Sequence, residues 1–124
     1  MGILFICEGD VDVVVVLGIL PSRVVLAGFS QGAALSIWTG LQWRETDSPL
    51  GGVLALSGYL VKADEFIPTK QGRLTPVSMH HGGLDDVVRP EWGRLSHRAL
   101  KVRLHPWHSG IIPPLISFSR MCRI

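Results

Sequence analysis

The sequence predicts an α/β fold in which a mainly parallel sheet is flanked by helices. Short runs of β-branched residues, typical of buried strands, alternate with segments whose apolar residues recur every three or four positions. The chemically distinctive residues follow the strands, and in parallel α/β sheets sites form at the carboxyl ends of the strands. The length of 124 residues, with 47% apolar composition, predicts a single domain over 1–124.

The first strand-to-helix unit is the clearest. Residues 23–27 form a β-branched run that ends at Gly28 and predicts a buried strand. Residues 31–43 then predict a helix, because their apolar positions share one face: Ala34, Ile37, Trp38 and Leu41. The Val-rich segment 11–17 is compatible with a strand or a crossover helix, and both alternatives stay open.

Later elements follow the same alternation. Residues 52–56 and 75–79 predict two further buried strands, each preceded by turn-prone residues. Residues 92–101, after Pro90, predict a short helix, and 102–104 predict a fourth strand.

Charge and hydropathy exclude several classes of protein. The net charge is +2 and the basic residues form no run, which argues against a nucleic-acid partner. The apolar runs near the start are broken by acidic residues and fall short of the roughly 20 residues of a membrane span. Cys7 and Cys122, without a secretory signal, favour free thiols and a cytoplasmic location. A mean hydropathy of +0.33 predicts exposed apolar surface, which a partner, self-association or missing segments would cover.

The segment 28–32, Gly-Phe-Ser-Gln-Gly, matches G-x-S-x-G, the nucleophile elbow of α/β-hydrolases. In this motif a serine occupies a sharp turn between strand and helix, and side chains at the flanking glycines would collide with neighbouring backbone. The predicted strand before the motif and helix after it provide the required context. Ser30 is therefore the candidate nucleophile.

A triad also needs an acid and a base, which follow the serine in this fold. Asp85 lies in the loop after the third strand and is the candidate acid, with Asp86 as the neighbouring alternative. Among the later histidines His108 is preferred as base and His105 comes second, since His97 falls in a predicted helix as a surface residue. No cluster at ligand spacing suggests a metal site.

Several ordered blocks resemble the acyl-protein thioesterases of the phospholipase/carboxylesterase family. The blocks are 18–26 with 28–36, 52–60, Thr75-Pro76-Val77 with His81-Gly82 and Asp85, and Val87-Val88 with Glu91-Trp92-Gly93. The resemblance implies a cytosolic hydrolase of protein acyl thioesters, lysophospholipids or small lipid esters, with no cofactor. It implies the catalytic roles given to Ser30, Asp85 and His108, with the backbone amide of Gln31 as one oxyanion donor.

The chain also departs from that family, so we expect a partial α/β-hydrolase fold. The family's N-terminal strands and the loop that supplies a second oxyanion amide have no counterpart before Val11, and Trp107 directly precedes His108. Loss of one oxyanion donor costs about 10²- to 10³-fold in rate, which predicts weak activity. Two alternatives stay open: a catalytically silent fragment that acts in binding, and another subfamily such as a small-ester carboxylesterase.

Overall fold

A single parallel sheet organises the part of the chain that the computed structural model describes, residues 2–5, 18–44 and 46–104. Its strands are β1 (Gly2–Phe5), β2 (Val24–Phe29), β3 (Gly52–Leu56) and β4 (Val77–His80), adjacent in that order. The helices are α1 (Gln31–Leu41), α2 (Lys70–Leu74) and α3 (Pro90–Lys101), with a 3₁₀ turn at Pro21–Arg23. The predicted α/β class is confirmed.

Strand registry aligns the carboxyl ends of the strands. Phe5 pairs with Ala27, Phe29 pairs with Leu56, and Leu56 pairs with His80. Because all three pairings are parallel, the loops that leave β2, β3 and β4 emerge at one edge of the sheet. Every candidate site residue that the structure describes follows one of these strand ends.

The core lies where α1 packs on β2 and β3. Ile37 and Leu41 present the predicted apolar face of α1 and are fully buried with Leu26 of β2 and Val53 of β3. Phe66, in the segment before α2, closes this core beside Trp38, with the ring centroids 5.0 Å apart. Helix α3 joins through Leu100, which is also fully buried.

Residues 102–104 do not form the predicted strand, and that prediction is wrong. Val102 takes a helical conformation as the C-cap of α3, and the amides of Arg103 and Leu104 both donate to the carbonyl of Leu100. The hydrogen bonds that end the helix thus use the backbone groups that a strand would need. Leu104 instead packs into the core, 4% exposed.

Other differences concern element boundaries and two elements that the sequence does not predict, strand β1 and a short helix. Strand β2 runs two residues beyond the predicted end, α1 stops two residues earlier, and α3 begins at Pro90. Helix α2 is capped by Thr69, whose hydroxyl accepts from the Gly72 amide, but five residues give too little periodicity for detection. The ambiguous segment 11–17 lies outside the described residues.

Phe66 and its neighbour Ile67 offer a matched test of this core. Phe66 is 1% exposed and Ile67 is 70% exposed. We expect Phe66→Ala to lower the free energy of unfolding by about 3–5 kcal/mol through lost burial and a residual cavity, whereas Ile67→Ala changes it by less than about 0.5 kcal/mol. Urea denaturation measures both, and equal effects would contradict this packing.

Candidate active site

Ser30 occupies the turn between β2 and α1, as predicted. Its backbone has φ 54° and ψ −118°, in the left-handed half of conformational space that a non-glycine residue adopts only under strain. The Ser30 amide donates to the Leu56 carbonyl at 2.9 Å, and the Ser30 carbonyl accepts from the Ala34 amide at 3.1 Å. Hydrogen bonds with the neighbouring strand β3 and the following helix α1 therefore hold the strained Ser30 backbone from both sides.

Gly28 makes this turn sterically possible. A Cβ atom at Gly28 would lie 2.2 Å from both the carbonyl carbon and the oxygen of Gly32. Since real Cβ contacts are never that short, strand and helix approach this closely only because the position carries no side chain. The structure thus confirms the steric reason for the first glycine of the motif.

Ser30 opens into a groove of about 400 Å³. The groove is lined by Phe29, Ser30, Gln31, Tyr59, Val87, Val88 and Trp92. Most of these side chains are aromatic or aliphatic; Val87 is largely exposed and Trp92 is about half exposed. A groove of this size accepts a small ligand, and its aromatic and aliphatic side chains can contact an apolar part of that ligand beside Ser30.

One wall of the groove is an aromatic pair contributed by two elements. Tyr59, in the loop after β3, meets Trp92 of α3 edge to face with ring centroids 5.9 Å apart. Buried Ser96 ties these elements together: its hydroxyl donates to the Trp92 carbonyl and accepts from the Leu60 amide, both at 2.7 Å. The loop and helix that form this wall are therefore fixed to each other.

Asp85 lies in the loop after β4, at the same edge of the sheet as Ser30. One carboxylate oxygen, Oδ1, accepts from the amides of Val87 at 3.1 Å and Val88 at 2.9 Å. The other oxygen, Oδ2, lies 3.7 Å from Nε2 of His81. Asp86 is exposed, so the acid with an ordered, partly buried setting is Asp85.

The Gln31 amide belongs to the first residue of α1, next to Ser30. The first amides of a helix have no partner within the helix and point outward at its positive end. This placement suits a donor to an oxyanion formed at Ser30. The candidate bases His108 and His105 lie outside the described residues.

His97 lies in α3, as predicted, and is partly buried there. Burial, together with the positive charges of Lys101 and Arg98, holds the pKa of His97 below its ordinary value of 6.5. Its ring lines a separate small cavity with His80 and His81.

Within residues 18–44 and 46–104, no group of three or more His, Cys, Asp or Glu side chains is placed to hold a metal ion.

Comparison with known proteins agrees with the strand, turn and helix around Ser30. Residues 8–111 match the family model described as Phospholipase/Carboxylesterase. The chain belongs to the phospholipase/carboxylesterase family. This confirms the resemblance drawn from the sequence blocks.

Curated relatives within this family are acyl-protein thioesterases. The chain is 47% identical over 79 residues to acyl-protein thioesterase 1 homolog 1 of Dictyostelium discoideum, covering 64% of this chain and 34% of that protein. It is also 47% identical over 88 residues to acyl-protein thioesterase 1 of Gibberella zeae, covering 68% and 36%. The chain thus spans about a third of the length of these two relatives.

Solved structures give the same fold. SOBER1 from Arabidopsis thaliana superposes with a TM-score of 0.67 at 26% identity, covering 86% of this chain and 52% of that one. The esterase PE8 superposes with a TM-score of 0.64 at 29% identity, covering 82% of this chain and 46% of that one.

In the described part of the chain, no helix has the length and apolar character required to cross a bilayer.

Gly28 and Gly52 provide a matched test of the turn. A Cβ at Gly52 would approach no atom closer than 3.4 Å, an ordinary contact. We expect Gly28→Ala to destabilise the fold by about 1–3 kcal/mol and to displace Ser30, while Gly52→Ala has a smaller effect. Thermal unfolding and fluorophosphonate labelling measure the two consequences. Normal labelling of a stable Gly28→Ala protein would contradict the steric account.

The lowered pKa of His97 predicts a specific pH dependence of stability. As pH falls through 6.5 the unfolded chain binds a proton first, so this group lowers the free energy of unfolding until its folded-state pKa is reached. We expect His97→Gln to lose less stability than the wild type between pH 7.5 and 5.5. Urea denaturation at several pH values across that range measures the free energy of unfolding. The same dependence of this free energy on pH in both proteins would exclude a contribution from His97.

Proposed function

We propose that this chain is a serine hydrolase that cleaves acyl thioesters or carboxyl esters through Ser30, Asp85 and His108. The observation that carries the proposal is the strained turn that presents Ser30 to a groove that Val87 and Val88 of the Asp85 loop also line. A turn of this kind exposes a nucleophile at the top of the sheet. Family membership supports the reaction class.

In the proposed reaction, Ser30 Oγ attacks the acyl carbon and His108 accepts the serine proton. The Gln31 amide donates to the oxyanion of the tetrahedral intermediate, and His108 then protonates the leaving thiol or alcohol. Asp85 orients the imidazole and stabilises its charged form. Water attacks the acyl-enzyme as His108 takes its proton; the bond between the acyl carbon and Ser30 Oγ then breaks, and His108 returns the proton to Ser30 as the acid leaves.

The proposed substrates are acylated proteins and small lipid esters. Groove residues Phe29, Val87 and Trp92 are exposed apolar side chains, so an acyl chain that covers them gains hydrophobic free energy. Curated relatives bear the name acyl-protein thioesterase, which supports the same class. Self-association through this exposed apolar surface is the other proposed way of covering it.

A cytoplasmic location is part of the proposal. The sequence contains two cysteines in 124 residues. Small domains of oxidising compartments depend instead on dense disulfide networks. This composition supports a reducing compartment, in which Cys7 and Cys122 stay thiols.

The proposed nucleophile is tested by turnover of a p-nitrophenyl ester and of a palmitoyl thioester. We expect measurable hydrolysis of both by the wild-type chain and none above background by Ser30→Ala, since the covalent step requires the hydroxyl. Equal turnover by the two proteins would refute the proposal. Absence of turnover from both would favour a catalytically silent binding protein.

The acid and base assignments are tested by neighbouring pairs of variants. Asp85→Asn is expected to lower kcat by as much as roughly 10⁴-fold, the effect of this change in a serine protease triad, with Asp86→Asn close to wild type. His108→Gln is expected to abolish turnover and His105→Gln to retain it. The reverse pattern within either pair would reassign that role to the neighbour.

A further inference from the structure

His81 separates β4 from the Asp85 loop and makes contacts that the proposed reaction does not use. Its side chain is 14% exposed, and Nε2 lies 2.7 Å from the Val88 carbonyl oxygen. Because a carbonyl only accepts hydrogen bonds, Nε2 must carry the proton. Nδ1 is buried and has no partner among the residues that the structure describes.

His81 and Asp85 hold the same residue from two sides. The Asp85 carboxylate accepts the Val88 amide at 2.9 Å, while His81 donates to the Val88 carbonyl. Both polar groups of the Val88 backbone are therefore fixed. Val88 lines the groove beside Ser30, so this arrangement connects the candidate acid to the groove wall.

The remaining carboxylate oxygen faces the same imidazole. Asp85 Oδ1 is occupied by two backbone amides, and Oδ2 lies 3.7 Å from the protonated Nε2 of His81. We propose that His81 is a positioning residue that fixes the loop and carboxylate of Asp85 for reaction at Ser30. The inference rests on the proposed function, because it assigns His81 a role through Asp85.

Helix α3 is built to accept the His81 ring. A Cβ atom at Gly93 would lie 2.5 Å from Nδ1 and 3.2 Å from Cγ of that ring. The absence of a side chain at Gly93 thus lets the imidazole pack against the helix backbone and restricts its rotation. A fixed ring directs Nε2 toward Val88 and Asp85.

Positioning matters here because the acid acts through orientation. An acid that drifts by about 1 Å misaligns the base that it orients, and errors of that size can cost about 10²-fold in rate. The competing interpretation is that the ring only fills space beneath the loop. A positioning role requires the Nε2–H group of His81 as a hydrogen-bond donor, whereas a space-filling role does not.

Gln and Met at position 81 separate these interpretations. Both side chains have similar length and volume, but only Gln retains an N–H donor near the position of Nε2. Native-state hydrogen exchange of the Val87 and Val88 amides reports the Asp85 contacts directly. We expect exchange about fivefold to tenfold faster in His81→Met, corresponding to loss of about one hydrogen bond, and near wild type in His81→Gln. Unchanged exchange in the Met variant would overturn the inference.

Steady-state kinetics provide the functional readout. We expect His81→Met to lower kcat by roughly 10- to 10²-fold with little change in KM, His81→Gln to retain most activity, and Gly93→Ala to resemble the Met variant. His80→Gln is the control, because the His80 ring pairs with Ser78 and not with the loop. Equal losses in the Gln and Met variants would show that the ring only fills space.

Failure of the two proposals can be distinguished. If Ser30→Ala retains turnover, the proposed hydrolase function fails, while the exchange data still decide whether His81 holds Asp85 and Val88. If Ser30→Ala abolishes turnover but His81→Met keeps the wild-type kcat, only the role of His81 fails.

Discussion

The left-handed backbone at Ser30 is the constraint on which the candidate site depends. A residue at φ 54° is unfavourable in isolation and persists only where its surroundings fix it. Here a carbonyl at the end of β3 accepts a hydrogen bond from the Ser30 amide, and an amide in the first turn of α1 donates to the Ser30 carbonyl. Gly28, which carries no side chain, lets β2 and α1 approach each other closely. The core formed by α1, β2 and β3 thus supplies the free energy that maintains the turn.

The same constraint spreads along the edge of the sheet. Ser30 donates to the last residue of β3, and Ser57, which also has a positive φ of 50°, donates to the carbonyl of His80 at the end of β4. These two hydrogen bonds connect three strand ends in sequence. The third is followed directly by His81 and the Asp85 loop, so the candidate nucleophile and the candidate acid lie on one connected framework.

Much of this arrangement could be predicted from local sequence. The glycines around Ser30 and the helical spacing from Ala34 to Leu41 are short-range signals, and both agree with the structure. The preference for Asp85 over Asp86 has less support from local sequence, because the contacts that order Asp85 come from folding of its own loop. The predicted strand at 102–104 is wrong because the β-branched Val102 favours a strand only locally. The hydrogen bonds that end α3 determine the conformation of these residues instead.

Features that depend on distant contacts were not predictable. Ser96 looks like any helical serine in the sequence, yet it joins α3 to the loop after β3 across 36 positions. His81 likewise has a defined role only once Gly93 and Val88 are brought beside it. Such tertiary hydrogen bonds leave no periodic signal.

Activation of Ser30 as a nucleophile is tested by identifying the residue that a fluorophosphonate modifies, since this probe reacts with activated serines. After incubation of the wild-type chain with the probe, peptide mass spectrometry locates the adduct. We expect a single modification on Ser30 that is lost in Ser30→Ala. Modification of another serine such as Ser57, or an unmodified Ser30 in the folded chain, would contradict it.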